Sequence, residues 1–452
     1  MNRIDEDSNS LGRLTDELLK HNKWSREELI SQQQKSLRDA LRYAVTHSTY
    51  YRDTIGHLVQ ANAPLDEFPI LTKRELICNF DRIVTDRRLS LHELETHLAG
   101  ADPGGVLWGE YRTVATSGTT GERAVIVYDR LAWDTGIASS LRYIRRNEGG
   151  PLLKTIGIGA SSPIHVSNRI YKALRADQPD APELSLTMPI TEVVAALNGY
   201  RPDVIITYPS YLRVLIEEQR EGRLRLAPRA IFSVAETLSH EVSDLVWETW
   251  GIRVGNRYNS TETFAAGSEC EYFNGIHLPE DIVIYEAVDG DNHPVDENTY
   301  SNKLLITTLF NRALPLIRYE VSDIVKITTA PCPCGRPYSR MTSIIGRREE
   351  FLKFPRKNGA EVSIHAGQFR SPLIKMPGLL RFQFGQMGSG IQVKMSARDP
   401  QQADKIAAKV RHEVLAVLER NGIADASVST VVMADIPRSG TGEKERLVAN
   451  NP

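Results

Sequence analysis

A segment rich in hydroxyl and glycine residues, TVATSGTTGERAVIVYD at 113–129, has the composition of a phosphate-binding loop. Gly118 and Gly121 let the backbone bend and approach a ligand closely. The amides and hydroxyls around them can surround phosphate oxygens as an anion-binding nest. The segment differs from a Walker A loop because no lysine follows the second glycine. Taken alone, the pattern fits an ordinary Ser/Thr/Gly hairpin turn equally well, so other features must decide between the two.

The elements that would position this loop alternate between short β-branched runs and helical stretches from about residue 110 to 330. The predicted strands are KTIGIGA (154–160), PDVIITY (202–208), RAIFSVA (229–235), IRVGNRY (252–258), DIVIYEAV (281–288) and KLLITTL (303–309). Several are nearly continuous apolar runs, as in strands that are buried on both faces. The pattern predicts an α/β fold with a largely parallel sheet.

The last hundred residues have a different pattern. RFQFGQ (381–386), IQVKMSA (391–397) and ASVSTVVMA (426–434) are typical of half-exposed strands. The stretch 399–422 is an amphipathic helix that we expect Gly422 to cap. The order strand–strand–helix–strand predicts a small α+β domain. We place the boundary near GRREE, which gives a large domain at 1–346 and a small one at 347–452.

Two helix starts are predicted in the N-terminal part of the chain. Ser25 precedes a helical pattern over 25–45, and Glu28 completes a capping box with it. Thr72 in FPILTKREL is a second predicted cap.

Composition excludes several classes of protein. The chain of 452 residues has a net charge of -2, which gives no general attraction to nucleic acid or to an anionic membrane. No apolar run approaches the ~18 residues that span a bilayer, and the polar, acidic N-terminus is unlike a signal peptide. Four cysteines in a chain this long do not form a disulfide framework. We therefore expect a soluble cytoplasmic protein.

Four segments in a fixed order resemble the motifs of adenylate-forming enzymes. TSGTTG at 116–121 resembles their phosphate-binding loop, and RYNSTETF at 257–264 resembles the motif that ends in threonine–glutamate. LPLIRYEVSDIV at 314–325 resembles the motif with the ribose-binding aspartate, and IIGRREEF at 344–351 resembles the hinge. Such enzymes activate a carboxylate with ATP, release pyrophosphate and form an acyl-adenylate.

Features in the N-terminal third of the chain are similar to the phenylacetate–CoA ligase branch. LISQQQKSLRDALRYAVTHSTYYRD (29–53) and FPILTKREL (68–76) resemble its opening helix and the segment that follows. IFSVAETLS (231–239) resembles its adenine-binding strand end. The resemblance covers nearly the whole length, more weakly in the final hundred residues.

The resemblance assigns roles to individual residues. Glu262 would hold Mg²⁺, for which a carboxylate is a natural ligand, and Thr261 would lie beside the α-phosphate. Asp323 would accept hydrogen bonds from the ribose hydroxyls, and Arg347 would reach the ribose or phosphate. The other expected nucleotide-binding residues are Thr116, Ser117, Gly118, Thr119, Thr120, Gly121, Ala235, Glu236, Tyr258 and Asn259.

The C-terminal motif and the hinge depart from the family pattern. IPRSGTGEKERLV (436–448) has the expected Pro-Arg start, but Glu443 separates Gly442 from Lys444. Lys444 is the predicted adenylation lysine, with a solvated lysine in a flexible tail as the alternative. The hinge acid is Glu349, where the family usually has aspartate.

Four soft ligands also fit the pattern of this branch, which has a cysteine and a Gly-x-His after its glutamate motif and a later cysteine pair. SECEYFNGIHL (268–278) and PCPCGRPYSRM (331–341) supply Cys270, His277, Cys332 and Cys334. Thiolate and imidazole ligands suit tetrahedral zinc, and four protein ligands would make the site structural. The alternative is a set of ordinary buried cysteines with a core histidine. Cys78 is predicted to be a lone core cysteine.

The acyl pocket is the least specified part of the site. The aligned residues are Tyr208, Pro209, Ser233, Phe264, Ala265 and Gly267. Tyr208 and Phe264 suit a flat aromatic acid. His165 would gate this pocket or touch a ring substituent, or it would only cap a helix; the sequence favours neither.

The sequence thus predicts a ligase that uses ATP and Mg²⁺ on a carboxylic acid and transfers the acyl group to CoA. Basic residues near the hinge could hold the phosphates of CoA: Arg347, Arg348, Lys353, Arg356, Lys357, Arg370 and Lys375. One alternative is transfer to an amine or another small nucleophile, and a second is an inactive nucleotide-binding protein. The sequence does not determine the oligomeric state, and a homodimer is one arrangement compatible with it.

Overall fold

The structure is a computed structural model that describes residues 3–116, 123–144, 153–176, 178–355, 361–374, 376–423, 426–434, 436 and 447–449, without the side chains of 3–10, 349 and 449. The helices are α1 (Arg3–His21), α2 (Arg26–His47), α3 (Thr49–Gln60), α4 (Lys73–Cys78), α5 (Phe80–Ile83), α6 (Leu91–Ala99), α7 (Arg130–Leu141), α8 (Val166–Ala176), α9 (Ile190–Tyr200), α10 (Pro209–Arg220), α11 (His240–Trp250), α12 (Ala366–Ile374) and α13 (Ala403–Arg420). The strands up to the hinge are β1 (Tyr111–Ala115), β2 (Val125–Asp129), β3 (Thr155–Gly159), β4 (Leu184–Ser185), β5 (Val204–Thr207), β6 (Ala230–Ser233), β7 (Val254–Asn259), β8 (Ala266–Glu269), β9 (Ile276–His277), β10 (Val283–Val288), β11 (Lys303–Thr308), β12 (Tyr319–Val321), β13 (Asp323–Thr328) and β14 (Arg340–Arg347). Those after it are β15 (Phe351–Pro355), β16 (Glu361–His365), β17 (Leu379–Met387), β18 (Gly390–Ala397), β19 (Val428–Val432) and β20 (Val448–Ala449).

A nine-stranded sheet forms the centre of the fold, in the order β13-β14-β9-β8-β7-β6-β5-β3-β4. Its strands β4, β3, β5, β6 and β7 run parallel, with helices in the connections between them. The remaining strands, β8, β9, β14 and β13, continue the sheet with antiparallel pairs. The predicted α/β fold is confirmed.

Two of the predicted strands lie outside this sheet. β10 and β11 pair antiparallel with each other, and β12 completes a separate three-stranded sheet. No helix lies among the residues that join β10 to β11, and a parallel pair would need a long crossover connection.

The C-terminal elements have the predicted order of strand, strand, helix and strand. β17 and β18 are antiparallel, β18 and β19 are parallel, and α13 packs on this sheet. Asn421 is the C-cap residue of α13, and Gly422 follows it with a φ of +79°. The division of the chain at residues 346 and 347 stays a prediction.

The predicted helix starts are confirmed in detail. The Ser25 side chain accepts a hydrogen bond from the Glu28 amide, and Glu28 returns one to the Ser25 amide, as in a capping box. Thr72 caps α4 in the same way, with Glu75 as its reciprocal partner. Within the described residues, no helix combines the length and the apolar character that a membrane span requires.

A buried ion pair between the end of α7 and the segment before β10 contacts the end of the N-terminal helix. The Arg142 guanidinium donates to both carboxylate oxygens of Asp281 at 2.6 and 3.0 Å, and both side chains are fully buried. His21, at the end of α1, hydrogen-bonds to the same carboxylate at 2.8 Å. Burial alone would raise the pKa of Asp281, but Arg142 and His21 outweigh it and lower the pKa to about 2.

Candidate active site

The carboxyl ends of the parallel strands converge on one edge of the large sheet. Tyr208 follows β5, Ser233 ends β6 and Tyr258 lies at the end of β7. In the register of the sheet, Thr207 is opposite Ser233, and Ser233 is opposite Asn256. This edge is where open parallel sheets bind their ligands.

A cavity of about 870 Å³ opens at this edge and extends toward the hinge and the C-terminal elements. Its wall includes six residues of the predicted nucleotide set: Ala235, Glu236, Tyr258, Asn259, Asp323 and Arg347. These residues are distant in sequence, and the structure brings them to one concave surface.

Asp323 is held from two sides within this cavity. The Tyr258 hydroxyl donates to one carboxylate oxygen at 2.7 Å, and the Arg347 Nε lies 3.5 Å from the other. Asp323 and Arg347 are cross-strand partners of β13 and β14, so the sheet register itself places the cation beside the acid. Burial, and then the Asp323 charge, raise the pKa of Tyr258 well above its ordinary value, so the phenol stays a donor.

The strand end at β6 presents backbone to the same cavity. Ala235 has a φ of +68°, a left-handed conformation in which a non-glycine residue is uncommon. The Glu236 carboxylate accepts hydrogen bonds from the amide and hydroxyl of Ser210, both at 3.1 Å, at the start of α10. Glu236 therefore holds this turn against the start of α10.

The turn that carries Thr261 and Glu262 is hydrogen-bonded to a buried tyrosine. The Tyr128 hydroxyl donates to the carbonyl oxygens of Thr261 at 2.7 Å and of Glu262 at 3.0 Å. Burial, with the Glu262 charge as the second cause, raises the pKa of Tyr128 well above its ordinary value. Tyr128 was missed in the sequence analysis, although it lies on β2 directly after the glycine-rich segment.

Phe264 ends this turn and is fully buried with a φ of +50°. Its ring packs on Trp133 of α7 with the ring centres 4.4 Å apart. A Cβ atom on Gly136 would lie 2.0 Å from the Phe264 ring, so only glycine at that position of α7 leaves room for it.

The remaining acyl residues are spread over neighbouring elements. The Tyr208 hydroxyl lies 3.2 Å from the Ser167 hydroxyl of α8, and Pro209 is the first residue of α10. Ala265 and Gly267 are buried at β8, where a Cβ atom on Gly267 would come within 2.7 Å of the His277 carbonyl. None of the described acyl residues lines the large cavity, Ser233 at the end of β6 included.

His165 is buried and directly precedes α8. Its neighbour Ile164 accepts a hydrogen bond from the Ala115 amide at 2.9 Å, which brings this segment to the end of β1. Thr116, the next residue, accepts a hydrogen bond from the Ala124 amide through its hydroxyl at 3.0 Å. The rest of the predicted phosphate loop, Ser117, Gly118, Thr119, Thr120 and Gly121, lies outside the described residues, as do Lys444, Arg356, Lys357 and Lys375.

The predicted soft ligands form one cluster. The ligand atoms of Cys270, His277, Cys332 and Cys334 all lie within 4.8 Å of one another. The sulfurs of Cys270 and Cys332 are 3.7 Å apart, and the Cys334 sulfur is 3.3 Å from the His277 Nε2. Burial, followed by Arg336 and Arg340, lowers the pKa of His277 to about 3, so the imidazole is neutral and can act as a ligand.

A second acid beside the hinge was also missed. Glu350 and His365 both line the large cavity, with the His365 Nε2 3.2 Å from the Glu350 carboxylate. The His365 Nδ1 accepts a hydrogen bond from the Gly367 amide at 3.1 Å, which leaves Nε2 as the protonated nitrogen that faces Glu350. A lone histidine in a strand gives no sequence signal for such a pair.

Comparison with known proteins gives several phenylacetate–coenzyme A ligases among the relatives. No protein-family model matches the chain. A phenylacetate–coenzyme A ligase of Thermus thermophilus is 29% identical over 282 residues, which are 59% of this chain and 60% of the relative. A phenylacetate–coenzyme A ligase of Aromatoleum evansii is 24% identical over 75% of this chain and 79% of the relative. The fumarate–(S)-2,3-diaminopropanoate ligase of Enterobacter agglomerans is 21% identical over 73% of this chain and 80% of the relative.

Solved structures share the fold at lower identity. A 2-hydroxyisobutyryl-CoA ligase in complex with 2-HIB-AMP has a TM-score of 0.69 at 19% identity, over 95% of this chain and 91% of that one. An anthranilate CoA ligase in complex with anthranoyl-AMP has a TM-score of 0.52 at 13% identity, over 74% of this chain and 65% of that one.

Proposed function

We propose that this chain, a homologue of the phenylacetate–CoA ligases with the fold of the adenylate-forming ligases, activates a carboxylic acid with ATP and transfers the acyl group to CoA. The observation that carries the proposal is the pairing of Tyr258 and Arg347 with Asp323 in the wall of the large cavity. Each carboxylate oxygen has two lone pairs, so Asp323 can accept hydrogen bonds from the two hydroxyls of a ribose beside its contacts with Tyr258 and Arg347.

The first half-reaction joins the acid to AMP. An oxygen of the acid attacks the α-phosphorus, the bond to the bridging oxygen breaks, and pyrophosphate leaves with the electron pair. The protein contributes positioning and charge stabilisation to such a transfer. Bound Mg²⁺ would offset the charge of the phosphates, and Glu262 supplies the carboxylate that would hold it. Thr261 would lie beside the α-phosphate, Tyr128 would fix the turn that carries both residues, and Lys444 would add a cation.

The second half-reaction transfers the acyl group to the thiol of CoA, with AMP as the leaving group. Besides Arg347, three of the basic residues expected near CoA are described: Arg348 pairs with Glu320, Lys353 pairs with Glu361, and Arg370 donates to the Thr237 carbonyl. These contacts would have to open before the side chains could bind phosphates. The two domains proposed at 1–346 and 347–452 allow such a rearrangement.

A second acceptor is favoured by one relative. The relative from Enterobacter agglomerans is named for joining fumarate to 2,3-diaminopropanoate, whose nucleophile is an amine. Transfer of the acyl-adenylate to an amine is therefore the alternative to CoA.

A screen of carboxylic acids by ATP–pyrophosphate exchange tests the first step, because exchange needs no acceptor. With the best acid, CoA should then be consumed at the rate at which AMP is released. Release of AMP that depends on an amine and ignores CoA would refute the CoA step and leave the adenylation step standing. The absence of exchange with every acid would refute both.

We also propose a structural zinc ion at the cluster of Cys270, His277, Cys332 and Cys334. Two sulfurs on one tetrahedral zinc lie about 3.8 Å apart when each bond is ~2.3 Å, and the distance between the sulfurs of Cys270 and Cys332 is 3.7 Å. The ion would tie the β8–β9 segment to the loop between β13 and β14.

A further inference from the structure

Two arginines flank one tryptophan beside the turn that carries Phe264. The guanidinium carbon of Arg112, on β1, lies 5.4 Å from the centre of the Trp133 ring. That of Arg169, in the first turn of α8, lies 5.7 Å from the same ring centre. The Phe264 ring packs on the same tryptophan.

Arg169 is buried without the partners that a buried cation needs. Arg169 is only 8% exposed. Its Nε and Nη2 are buried and have no hydrogen-bond partner among the described residues. A Cβ atom on Gly104 would lie 3.0 Å from the Arg169 Nη1, so the loop of Gly104 closes over the guanidinium. A buried donor without a partner is destabilising, because it has lost its hydrogen bonds to water and gained none from the protein.

The local charge is positive. Burial, followed by the like charge of Arg112, lowers the pKa of Arg169, while Asp102 raises it. Burial also lowers the pKa of Arg112, and Asp134 opposes this effect. Neither arginine has an ion pair with a described carboxylate, so an anion bound beside them would be stabilised by both charges.

The position of this pair relates it to the acyl residues. Arg169 donates its backbone amide to the His165 carbonyl at 3.4 Å, and His165 is one of the residues expected near the acid. Phe264 lies two residues after Glu262, and its ring packs on Trp133. The two arginines in turn contact Trp133. Phe264 and Trp133 thus connect the two arginines to the turn of Glu262.

We propose that Arg112 and Arg169 form an anion pocket that binds a second acidic group of the acid substrate. This proposal rests on the proposed adenylation and specifies its substrate class. The substrate would be an acid with a second carboxylate, or a group of equal charge, at the end remote from the reacting carboxylate. Trp133 and Phe264 contact the body of the molecule between its two ends. A planar guanidinium binds a carboxylate with two parallel hydrogen bonds, which would satisfy the buried donors of Arg169.

Matched pairs of acids test the proposal by ATP–pyrophosphate exchange. The pairs are benzoate with isophthalate and terephthalate, and propionate with succinate. In the wild-type protein, kcat/KM for at least one diacid should exceed that of its monoacid partner by about tenfold or more, because the monoacid leaves the buried arginine without its partner. A preference for the monoacid in every pair would overturn the proposal.

The Arg169→Met variant separates recognition from folding. It should lower kcat/KM for the preferred diacid by about tenfold or more and leave the monoacid within about twofold. Arg169→Lys, which keeps the charge and loses the fork, should retain part of the preference. Arg175→Met, on the same helix in an exposed pair with Glu183, is the matched control and should change neither rate. An equal loss for both acids in Arg169→Met would show a structural role and overturn the pocket.

Calorimetry of the same acids without ATP distinguishes failure of the pocket from failure of the proposed function. Binding of a diacid that Arg169→Met abolishes, in protein that shows no exchange, would support the pocket and refute adenylation. Exchange without any preference that depends on Arg169 would support adenylation and refute the pocket.

Discussion

The Tyr128→Phe substitution tests whether the turn of Glu262 is positioned by a single buried hydroxyl. The change removes one oxygen and keeps the ring, which packs on Phe264 with the ring centres 5.5 Å apart. Two carbonyl oxygens, of Thr261 and Glu262, lose their shared donor at 2.7 and 3.0 Å.

The expected cost follows from these two contacts. The two carbonyl oxygens share the single proton of the hydroxyl, so its loss counts as one hydrogen bond, worth about 1 kcal/mol of folding free energy. A displacement of the turn by about 1 Å would lower the rate of pyrophosphate exchange by ~10²-fold. We therefore expect a modest fall in melting temperature with a large fall in exchange, and a need for more Mg²⁺.

Thermal denaturation and exchange over a range of Mg²⁺ concentrations measure the two effects. Tyr143→Phe is the matched control, because the buried Tyr143 hydroxyl has no hydrogen-bond partner among the described residues, and its removal should change neither quantity. Exchange in Tyr128→Phe at the wild-type rate and with wild-type Mg²⁺ dependence would refute the positioning role.

Four further predictions can be checked with the same protein. Glu262→Gln should remove several kcal/mol of transition-state stabilisation from Mg²⁺-dependent exchange with the fold intact, and a wild-type exchange rate would contradict the role of Glu262. Metal analysis should find about one zinc per chain in protein prepared without chelator, and Cys332→Ser should lower the melting temperature more than it alters exchange. Asp281→Asn should cost about 3–5 kcal/mol of stability because it leaves buried Arg142 without its partner. Since the pKa of Asp281 is lowered to about 2, its stabilisation is present above the unfolded-state pKa of about 4 and is lost as the pH falls toward 2, which acid denaturation of the wild type and the variant should show. Lys444→Ala should slow formation of the adenylate and spare turnover of a pre-formed adenylate, and an equal loss in both half-reactions would count against its role.

The sequence could relate only those parts of the candidate site that lie in continuous segments. Tyr258 to Phe264 form one strand end and turn, so their spacing alone relates the residues expected near the adenine, the phosphates and the acyl group. The caps at Ser25 and Thr72 were predictable for the same reason, because each depends on a residue only three positions away. The Cys/His cluster was predictable because soft ligands are rare and this chain places three of its four cysteines in two short segments.

The helix α1 shows where this local reasoning fails. The segment MNRIDEDSNS was interpreted only as a polar N-terminus, and it begins a helix of 19 residues. That helix is fastened by His21 to Asp281, 260 residues further along the chain. No pattern within the helix encodes such a contact.

The tertiary structure decided which side chains meet, and this is what gives the site its chemistry. The hydrogen bond from Tyr258 to Asp323 spans 65 residues, and it exists because the register of the large sheet places the ends of β7 and β13 on one cavity. Arg112 and Arg169 passed unnoticed in the sequence because an arginine on a strand or an amphipathic helix is ordinarily solvated. Packing of α7 against the hairpin of β1 and β2, and of α8 against α7, brings both arginines to Trp133. The sequence determines the residue types and their local geometry, but burial and the pairing of charges depend on contacts between distant segments, which only the folded chain fixes.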